Sequence, residues 1–590
     1  MTTMRDRWKT EIVQTLHAMA LDKGLSNADV SEDMVALETP PRPDLGDLAV
    51  PLFPFAKLFR AAPAAVAAEA ASRLGGSDIG SCEAAGPYLN IRYSRSAVVR
   101  EVLEAVMHEG DHFGRTDDLS AQRIMIEFSC PNTNKPLHLG HLRNDILGES
   151  LSRILAANGA EVRKVNLIND RGVHICKSML AYQRFGNGVT PESEGVKSDH
   201  FVGAYYVRYN QWAKEDGDAD GLAREMLQKW EAGDAEVMAL WQQMNRWAID
   251  GISETYRRTG ISFDDIYYES KTYLSGRDEV LRGLEEGVFY REDDGSVWVD
   301  LEEINLDKKV LLRGDGTSLY LTQDIGTAIA RHGDWPFHRL IYVVASEQRY
   351  HFAVLFHVLQ KLGMEWGKDL FHLAYGMVNL PDGKMKSREG TVVDADELIA
   401  GLERMAAEEI RAKGREEEVG DVGRTAGDVA LGALHYYLLQ VNPIKDMVFD
   451  PRESISFNGN TGPYLQYTGA RISTMLRKLV HAGSDSAVSD STGAEVDYGL
   501  LREDLEWELV KQIANFSDAV RTAGRQYSPS VLTGYLYELA KTFSRYYHDH
   551  PIAIEKDHAV RAARVALARA VVQVLRNGCE LIAVPFLHVM

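Results

Sequence analysis

Two short stretches carry side chains suited to holding a polyphosphate. Pro131 to Arg143 reads P-N-T-N-K-P-L-H-L-G-H-L-R and follows the strand-like run Ile124 to Phe128. His138 and His141 therefore stand three apart around Gly140, at a predicted strand-to-helix turn. Far downstream lies a basic cluster, Gly383-Lys384-Met385-Lys386-Ser387. A histidine pair beside a glycine at a helix start, answered by a distant basic loop, is suited to gripping triphosphate and points to adenylyl transfer from ATP.

That chemistry needs attack on the α-phosphate in line with departing pyrophosphate. A protein contributes to it by position and positive electrostatic character more than by covalent steps. Imidazole N–H groups of His138 and His141 would donate to phosphate oxygens as charge builds up. The helix start after Gly140 would add backbone N–H groups and a positive dipole end, and Gly140 would leave room for the adenine ring. Lys384, with Met385 and Ser387 beside it, would pair with the β- and γ-phosphates and withdraw as pyrophosphate leaves. Taken singly, H-x-G-H also suits a surface pair or half a metal site, and a lysine-rich loop is ordinarily solvated surface. The preceding strand, Asn132, Lys135, Pro136 and the chain order of the two clusters favour the nucleotide reading.

These residues need a scaffold. Ile124 to Phe128, Asp145 to Asn158 and Glu161 to Asn169 alternate as strand, helix, strand, the signature of a parallel sheet. An aromatic-rich, mainly helical stretch from about Phe185 to Tyr273 interrupts it. Strand signals return at Val297 to Val299, Leu319 to Leu321 and Leu340 to Ala345. Such an insertion explains why the two clusters lie so far apart. The expected fold class is α/β: a Rossmann-like parallel-sheet core with an inserted domain, an N-terminal α+β domain and a C-terminal α-helical bundle. The expected boundaries are 1–118 for the first domain and 119–400 for the core, with the insertion at about 185–300. A helical connecting region at 401–464 and the bundle at 465–590 complete the chain.

The chain has 590 residues, 45% hydrophobic and 26% charged, ordinary values for a globular protein of several domains. A formal net charge of −21 argues against binding nucleic acid through overall charge, so any RNA contact must come from local patches and shape. The four cysteines, Cys82, Cys130, Cys176 and Cys579, show neither zinc spacing nor a disulfide framework. No apolar run is long enough to span a bilayer and the start has no signal-peptide core, so a cytoplasmic protein with no membrane partner is expected.

The two clusters match the two signatures of class I aminoacyl-tRNA synthetases, and further runs resemble the arginyl-tRNA synthetase family. These are Glu127-Phe128-Ser129-Cys130-Pro131-Asn132, Tyr320-Leu321-Thr322-Gln323-Asp324, Glu347 to Phe352 and Phe457 to Tyr467. Pro41 to Pro51 resembles the start of the additional N-terminal domain of these enzymes, and the likeness runs from about Ala36 to Met590. The resemblance implies an arginine–tRNA ligase. It would activate L-arginine with ATP, Mg2+ accompanying the nucleotide, and pass it to the 2′-hydroxyl of the terminal adenosine of tRNA(Arg). It also implies a monomer whose adenylate formation needs tRNA, and with the cysteine spacing above no zinc or other protein-ligated metal is expected.

Carried over residue by residue, the resemblance puts Asn132, Ser129 and Gln348 on the amino acid's amino and carboxylate groups. Glu127, Glu269, Tyr320 and Asp324 complete the arginine site, and a planar cation with five donors does call for forked carboxylates. The usual K-M-S-K-S loop is altered here at Lys386 and Ser387. In the family a lysine just upstream of the histidine motif substitutes, which is the place of Lys135. Val165 to His174 varies on the family's G-D-W-G form. The helical C-terminal domain would take the anticodon arm, with Tyr464, Tyr467, Tyr546, Tyr547 and Met590 as candidates. Alternatives are a synthetase for another amino acid, a small-molecule adenylyltransferase, a hydrolase using the two histidines on a metal, and a catalytically silent tRNA-binding paralogue. Both histidines and Lys384 are intact, which weighs against the last.

Overall fold

A computed structural model describes residues 4–25, 30–77, 79–381, 393–481 and 496–590. The signature-loop residues Lys384, Met385 and Ser387, with Lys386 and Arg388, lie outside the described residues.

Five parallel strands form the central sheet. They are β1 (Arg123–Glu127), β2 (Glu161–Ile168), β3 (Asp265–Tyr268), β4 (Arg339–Ala345) and β5 (Leu370–Tyr375), in the order β5-β4-β1-β2-β3. Ile126 registers against Ile341 on one side and Lys164 on the other. Four of the five residues of β1 are buried, as a strand covered on both faces requires. The order reverses direction at β1, so the crevice outside the carboxyl ends of β1 and β4 is where a ligand fits such a sheet.

The helix that follows β1, α1 (Leu139–Ala157), begins at the histidine motif itself rather than at Asp145. It lies so close to β1 that a Cβ on Gly148 would sit 2.2 Å from the Phe128 ring, and only glycine fits. Asn144 fixes the spacing further: its oxygen accepts from the Ser129 N–H at 2.6 Å and its nitrogen donates to the Val343 carbonyl at 2.8 Å. Arg143, fully buried, donates to the carbonyls of Met377, Pro443 and Lys445. The start of α1 is thereby held to the chain just after β5 and to the turn that follows helix Val422–Leu439.

Three elements differ from the sequence reading. Leu319 to Leu321 is no strand: Leu319 caps α2 (Tyr320–Asp334), whose apolar side packs on the sheet. A three-residue apolar run does not distinguish the two periodicities. Val297–Val299 belongs to a separate antiparallel sheet with Tyr290–Arg291 and Lys309–Leu312. The edge strand β3 comes from inside the stretch expected as the insertion, pairing in parallel with β2 from Asp265↔Val165 to Tyr268↔Ile168.

The helical insert, spanning Val173–Phe185, Ser198–Glu215, Ala219–Glu231 and Ala235–Thr259, closes on an aromatic core that includes Tyr182, Phe201, Tyr205, Trp212 and Trp247. At the N-terminus, helix Pro63–Leu74 packs on a four-stranded antiparallel sheet containing Leu48–Pro51 and Tyr88–Tyr93. Asp47 ties that unit to the C-terminal helices, accepting from Trp507 at 3.3 Å and Lys511 at 3.2 Å. Helices Gly462–His481, Asp504–Ala514, Phe516–Arg525, Ser530–Asp549 and His558–Leu581 make the C-terminal bundle. No described helix is long and apolar enough to cross a membrane.

Candidate active site

The corner after β1 is built from two non-glycine residues in the left-handed region, Ser129 (φ 74°) and Cys130 (φ 49°). Such backbone is disfavoured and persists only when its surroundings hold it. Here the Ser129 hydroxyl meets the Tyr256 hydroxyl at 2.5 Å, and the Cys130 N–H donates to Asn166 at 3.1 Å. The Cys130 carbonyl accepts from Asn169 at 2.9 Å. Asn132 then bridges to Asn169, so the chain leaves β1 alongside the end of β2 and turns into the histidine motif.

His138 is the N-cap of α1. Its Nδ1 accepts from the Gly140 N–H at 3.1 Å, and the Nδ1 of His141 accepts from the His138 N–H at 3.1 Å. This reciprocal cap assigns each ring as neutral, with its remaining proton on Nε2. Burial lowers the pKa of both in agreement: His138 falls to about 4 and His141 well below its ordinary value, with Lys135 nearby adding to each. Two neutral N–H donors are therefore available at neutral pH.

The expected backbone N–H donors of the helix start are not. The Leu139 N–H donates to the Val393 carbonyl and that of Gly140 to His138 Nδ1, while His141 and Leu142 both donate to the His138 carbonyl. The turn offers its imidazoles and its dipole rather than free amides.

A cavity of about 530 Å³ opens beside this turn. It brings together Asn132, Lys135, His138 and Tyr320 from the sequence reading and adds Asn134, His174 and His200. Lys135 makes no hydrogen bond or ion pair with described residues, and burial lowers its affinity for the proton. The Asn134 oxygen is buried without a partner, a polar group still to be satisfied. His174, from the G-D-W-G-like stretch, is pushed down to about 4 by burial, with Lys135 next. It is neutral here, like the motif histidines.

Next to the cavity, acidic groups gather at the carboxyl ends of β1 and β3 and at the start of α2. Glu269 is buried and its carboxyl is pushed up to about 7 by desolvation, with Arg171 opposing and Asp170 and Asp324 adding to the rise. Gln323, with its amide nitrogen toward Glu269 Oε1 (2.9 Å) and its oxygen toward Arg171 Nη1 (3.2 Å), joins the two. Asp170 accepts from the Ser270 N–H at 2.8 Å and its hydroxyl at 2.7 Å, holding the turn that presents Glu269. Asp324 accepts from His351 Nε2 at 2.6 Å. Glu127 is buried in an ion pair with Arg331, and desolvation raises its carboxyl, with Asp324 adding to the rise. Four acids (Glu127, Asp170, Glu269, Asp324) thus meet two guanidiniums (Arg171, Arg331), and Arg171 is also paired with Glu231, so carboxylates outnumber guanidiniums in the group.

Gln348 sits at the carboxyl end of β4 in the turn Ser346–Gln348, exposed to solvent. Reading the sequence missed Arg171, Gln323, Arg331 and His351 as partners of the acids. Arg171, Gln323 and His351 stand inside quoted motifs, but no local spacing shows which acid they meet.

In the C-terminal bundle a second cavity, about 500 Å³, is lined by Tyr467, Tyr547 and Met590 together with Arg415, Arg471 and Lys478. The Arg471 guanidinium lies 4.8 Å from the centre of the Tyr547 ring. Tyr546 is instead core, donating to Glu506 at 3.1 Å, and Tyr464 donates to Ser544 at 3.1 Å. Of the five anticodon candidates, three meet in one basic, aromatic hollow.

Residues 102–451 match the family model described as tRNA synthetases class I (R), catalytic domain. Residues 465–590 match the DALR anticodon binding domain, and 6–93 the arginyl tRNA synthetase N terminal domain. The chain is 55% identical to an arginine–tRNA ligase of Treponema denticola and 52% identical to one of Treponema pallidum, each over the full length of both chains. Among solved structures, the arginyl-tRNA synthetase of Thermus thermophilus superposes with a TM-score of 0.82 at 26% identity, again over both whole chains.

Proposed function

The chain belongs to the arginyl-tRNA synthetases, which ligate arginine to tRNA using ATP, and from that premise we propose how its residues divide the work. Arginine lies with its guanidinium among Asp324, Glu269 and Glu127, where the acids outnumber the internal guanidiniums Arg171 and Arg331. That imbalance is the observation that carries the reading. Tyr320 borders the site from the first turn of α2, and Asn132, Ser129 and Gln348 take the amino and carboxylate groups. ATP occupies the cavity beside His138, with Mg2+ on its phosphates. Lys135 takes the part of the missing second signature lysine, and Lys384 is assigned to the β- and γ-phosphates from the sequence alone.

An arginine carboxylate oxygen attacks the α-phosphorus, the bond to the bridging oxygen breaks, and pyrophosphate leaves. His138 and His141, held neutral, donate Nε2–H to the phosphate as charge develops there. The 2′-hydroxyl of the terminal adenosine then attacks the carbonyl carbon of arginyl-adenylate, and AMP departs carrying the proton. No covalent enzyme intermediate forms. The anticodon arm lies on the bundle, where Tyr467 and Tyr547 stack on splayed bases and Arg471 and Lys478 meet phosphates. The N-terminal domain meets the outer corner of the tRNA, and the enzyme acts as a monomer in the cytoplasm.

The test is pyrophosphate exchange into ATP with tRNA present, arginine being compared with lysine and ornithine. Arginine-dependent exchange with lysine weaker by about 10⁴-fold fits a site whose buried acids are left unpaired by the wrong cation. Equal exchange with lysine contradicts it.

A further inference from the structure

Segment Val393–Asp396 follows the second signature in sequence and is gripped from two sides. On one side its main chain runs against the histidine turn: Leu139 N–H donates to the Val393 carbonyl at 3.1 Å and Ala395 N–H to the Leu137 carbonyl at 3.0 Å. Asp394 thus forms an antiparallel bridge with His138. On the other side the carboxylates of Asp394 and Asp396 face cations from the helical insert. Lys197 Nζ lies 2.7 Å from Asp396, 3.0 Å from Asp199 and 2.6 Å from the Thr255 hydroxyl. His200 Nε2 is 3.3 Å from both Asp394 and Asp396. Arg258 reaches Asp396 at 3.4 Å and Glu403 at 2.9 Å.

Asp199, His200 and Asp396 present donor atoms within 4.8 Å of one another, a spacing that suits a metal ion. The ammonium of Lys197 already bonds both carboxylates, so the cluster carries its own cation. Its side chains are largely out of solvent, Asp199 fully and Lys197 and Asp396 at 17% exposure each. Ion pairs so placed are strongly held once formed, and removing one partner leaves an uncompensated charge. Nothing in the ligation chemistry requires the insert to be anchored at this point.

We propose that Lys197 and His200 are positioning residues for adenylyl transfer. Through Asp394 and Asp396 they hold Val393–Ala395 against Leu137–Leu139, and so keep the capped imidazoles of His138 and His141 aligned on the phosphate. The inference rests on the adenylyl-transfer reading above. It adds that the helical insert, through its contacts with Asp394 and Asp396, sets the geometry of the histidine turn. Misplacement of about 1 Å at a reacting group lowers rates by about a hundredfold.

The experiment is arginine- and tRNA-dependent pyrophosphate exchange by Lys197→Met, His200→Asn and Lys197→Arg, with tRNA affinity and melting temperature measured on each. The expected result is a fall of about tenfold to a hundredfold in kcat for Lys197→Met. The KM for arginine and the Kd for tRNA stay unchanged, and Lys197→Arg recovers most of the rate. Combining Lys197→Met with Asp396→Asn then loses less than the two single effects multiplied, because both break one contact. Unchanged exchange by both Lys197→Met and His200→Asn overturns the proposal. So does a parallel loss of exchange, tRNA binding and melting temperature, which marks a merely structural cluster. Absence of exchange by the wild type would instead remove the reading on which the proposal stands.

Discussion

Arginine binding must follow the ionisation of Glu269. Its carboxyl is pushed up to about 7, first by desolvation and then by Asp170 and Asp324, against the pull of Arg171. A guanidinium pairs with the ionised carboxylate, so binding expels the proton and affinity rises with pH. With a free-enzyme value near 7, about one tenth of the sites are ionised at pH 6 and about nine tenths at pH 8, which makes the Kd for arginine about tenfold weaker at pH 6. Titration calorimetry without ATP, in two buffers of different ionisation enthalpy, reads both quantities. About half a proton should be released per arginine bound at pH 7. Glu269→Gln removes a charge-assisted hydrogen bond of about 1.5–3 kcal/mol, weakening binding at pH 8 by about 10- to 150-fold and flattening the pH profile. A wild-type Kd that stays level from pH 6 to pH 8, or a variant that keeps the slope, refutes this account of the site.

Four further outcomes follow from particular contacts. Lys135→Ala should lower the rate of pyrophosphate exchange by about a hundredfold at saturating arginine, the scale of losing one preorganised donor to the developing charge. Survival of the rate would move that task to Lys386 or Arg388. Tyr467→Ala and Tyr547→Ala should each weaken tRNA binding by about 1–3 kcal/mol in a filter-binding assay and leave the KM for arginine alone; a change in arginine KM without one in tRNA affinity would contradict the placement. Gly148→Ala forces a Cβ to within 2.2 Å of Phe128, and about 1–3 kcal/mol of stability should be lost in a denaturant melt; an unchanged midpoint would show that Phe128 can move aside. His138→Asn keeps an acceptor for the Gly140 N–H but loses the Nε2 donor, so it should retain its melting temperature and lose exchange, whereas loss of both would make the ring's role structural.

What was legible in the sequence was whatever lies close together along the chain. The β1 to α1 turn could be read because the strand, Asn132, Lys135 and the two histidines fall within one short run. The reciprocal cap between His138 and His141 was not, because it uses ring nitrogens in place of the usual hydroxyl and carboxylate. That cap, together with Val393, occupies the amides the sequence reading had assigned to phosphate. Ser129 and Cys130 carry no glycine signal, and their left-handed backbone follows from partners on Asn144, Asn166 and Tyr256. Tyr320 and Asp324 were singled out in a motif whose local form was misread, since an aromatic and aliphatic triplet looks extended until the four-residue spacing of a helix is allowed for. Strand β3, Asp265–Tyr268, is only four residues long, too short to stand out from the insert around it. The pairing of Glu127 with Arg331, 204 positions apart in chain numbering, leaves no local trace at all.

The most direct measurement is attachment of radiolabelled arginine, and separately lysine, to total tRNA by the wild type and by Asp324→Asn. The wild type should charge arginine and release one AMP per ester formed, with lysine at background. The variant should lose arginine charging by about two orders of magnitude while still binding tRNA, as removal of a carboxylate from a half-buried charge-assisted contact requires. Lysine charged as well as arginine, or arginine charged equally by the variant, would contradict the assignment of the acidic group as the arginine site.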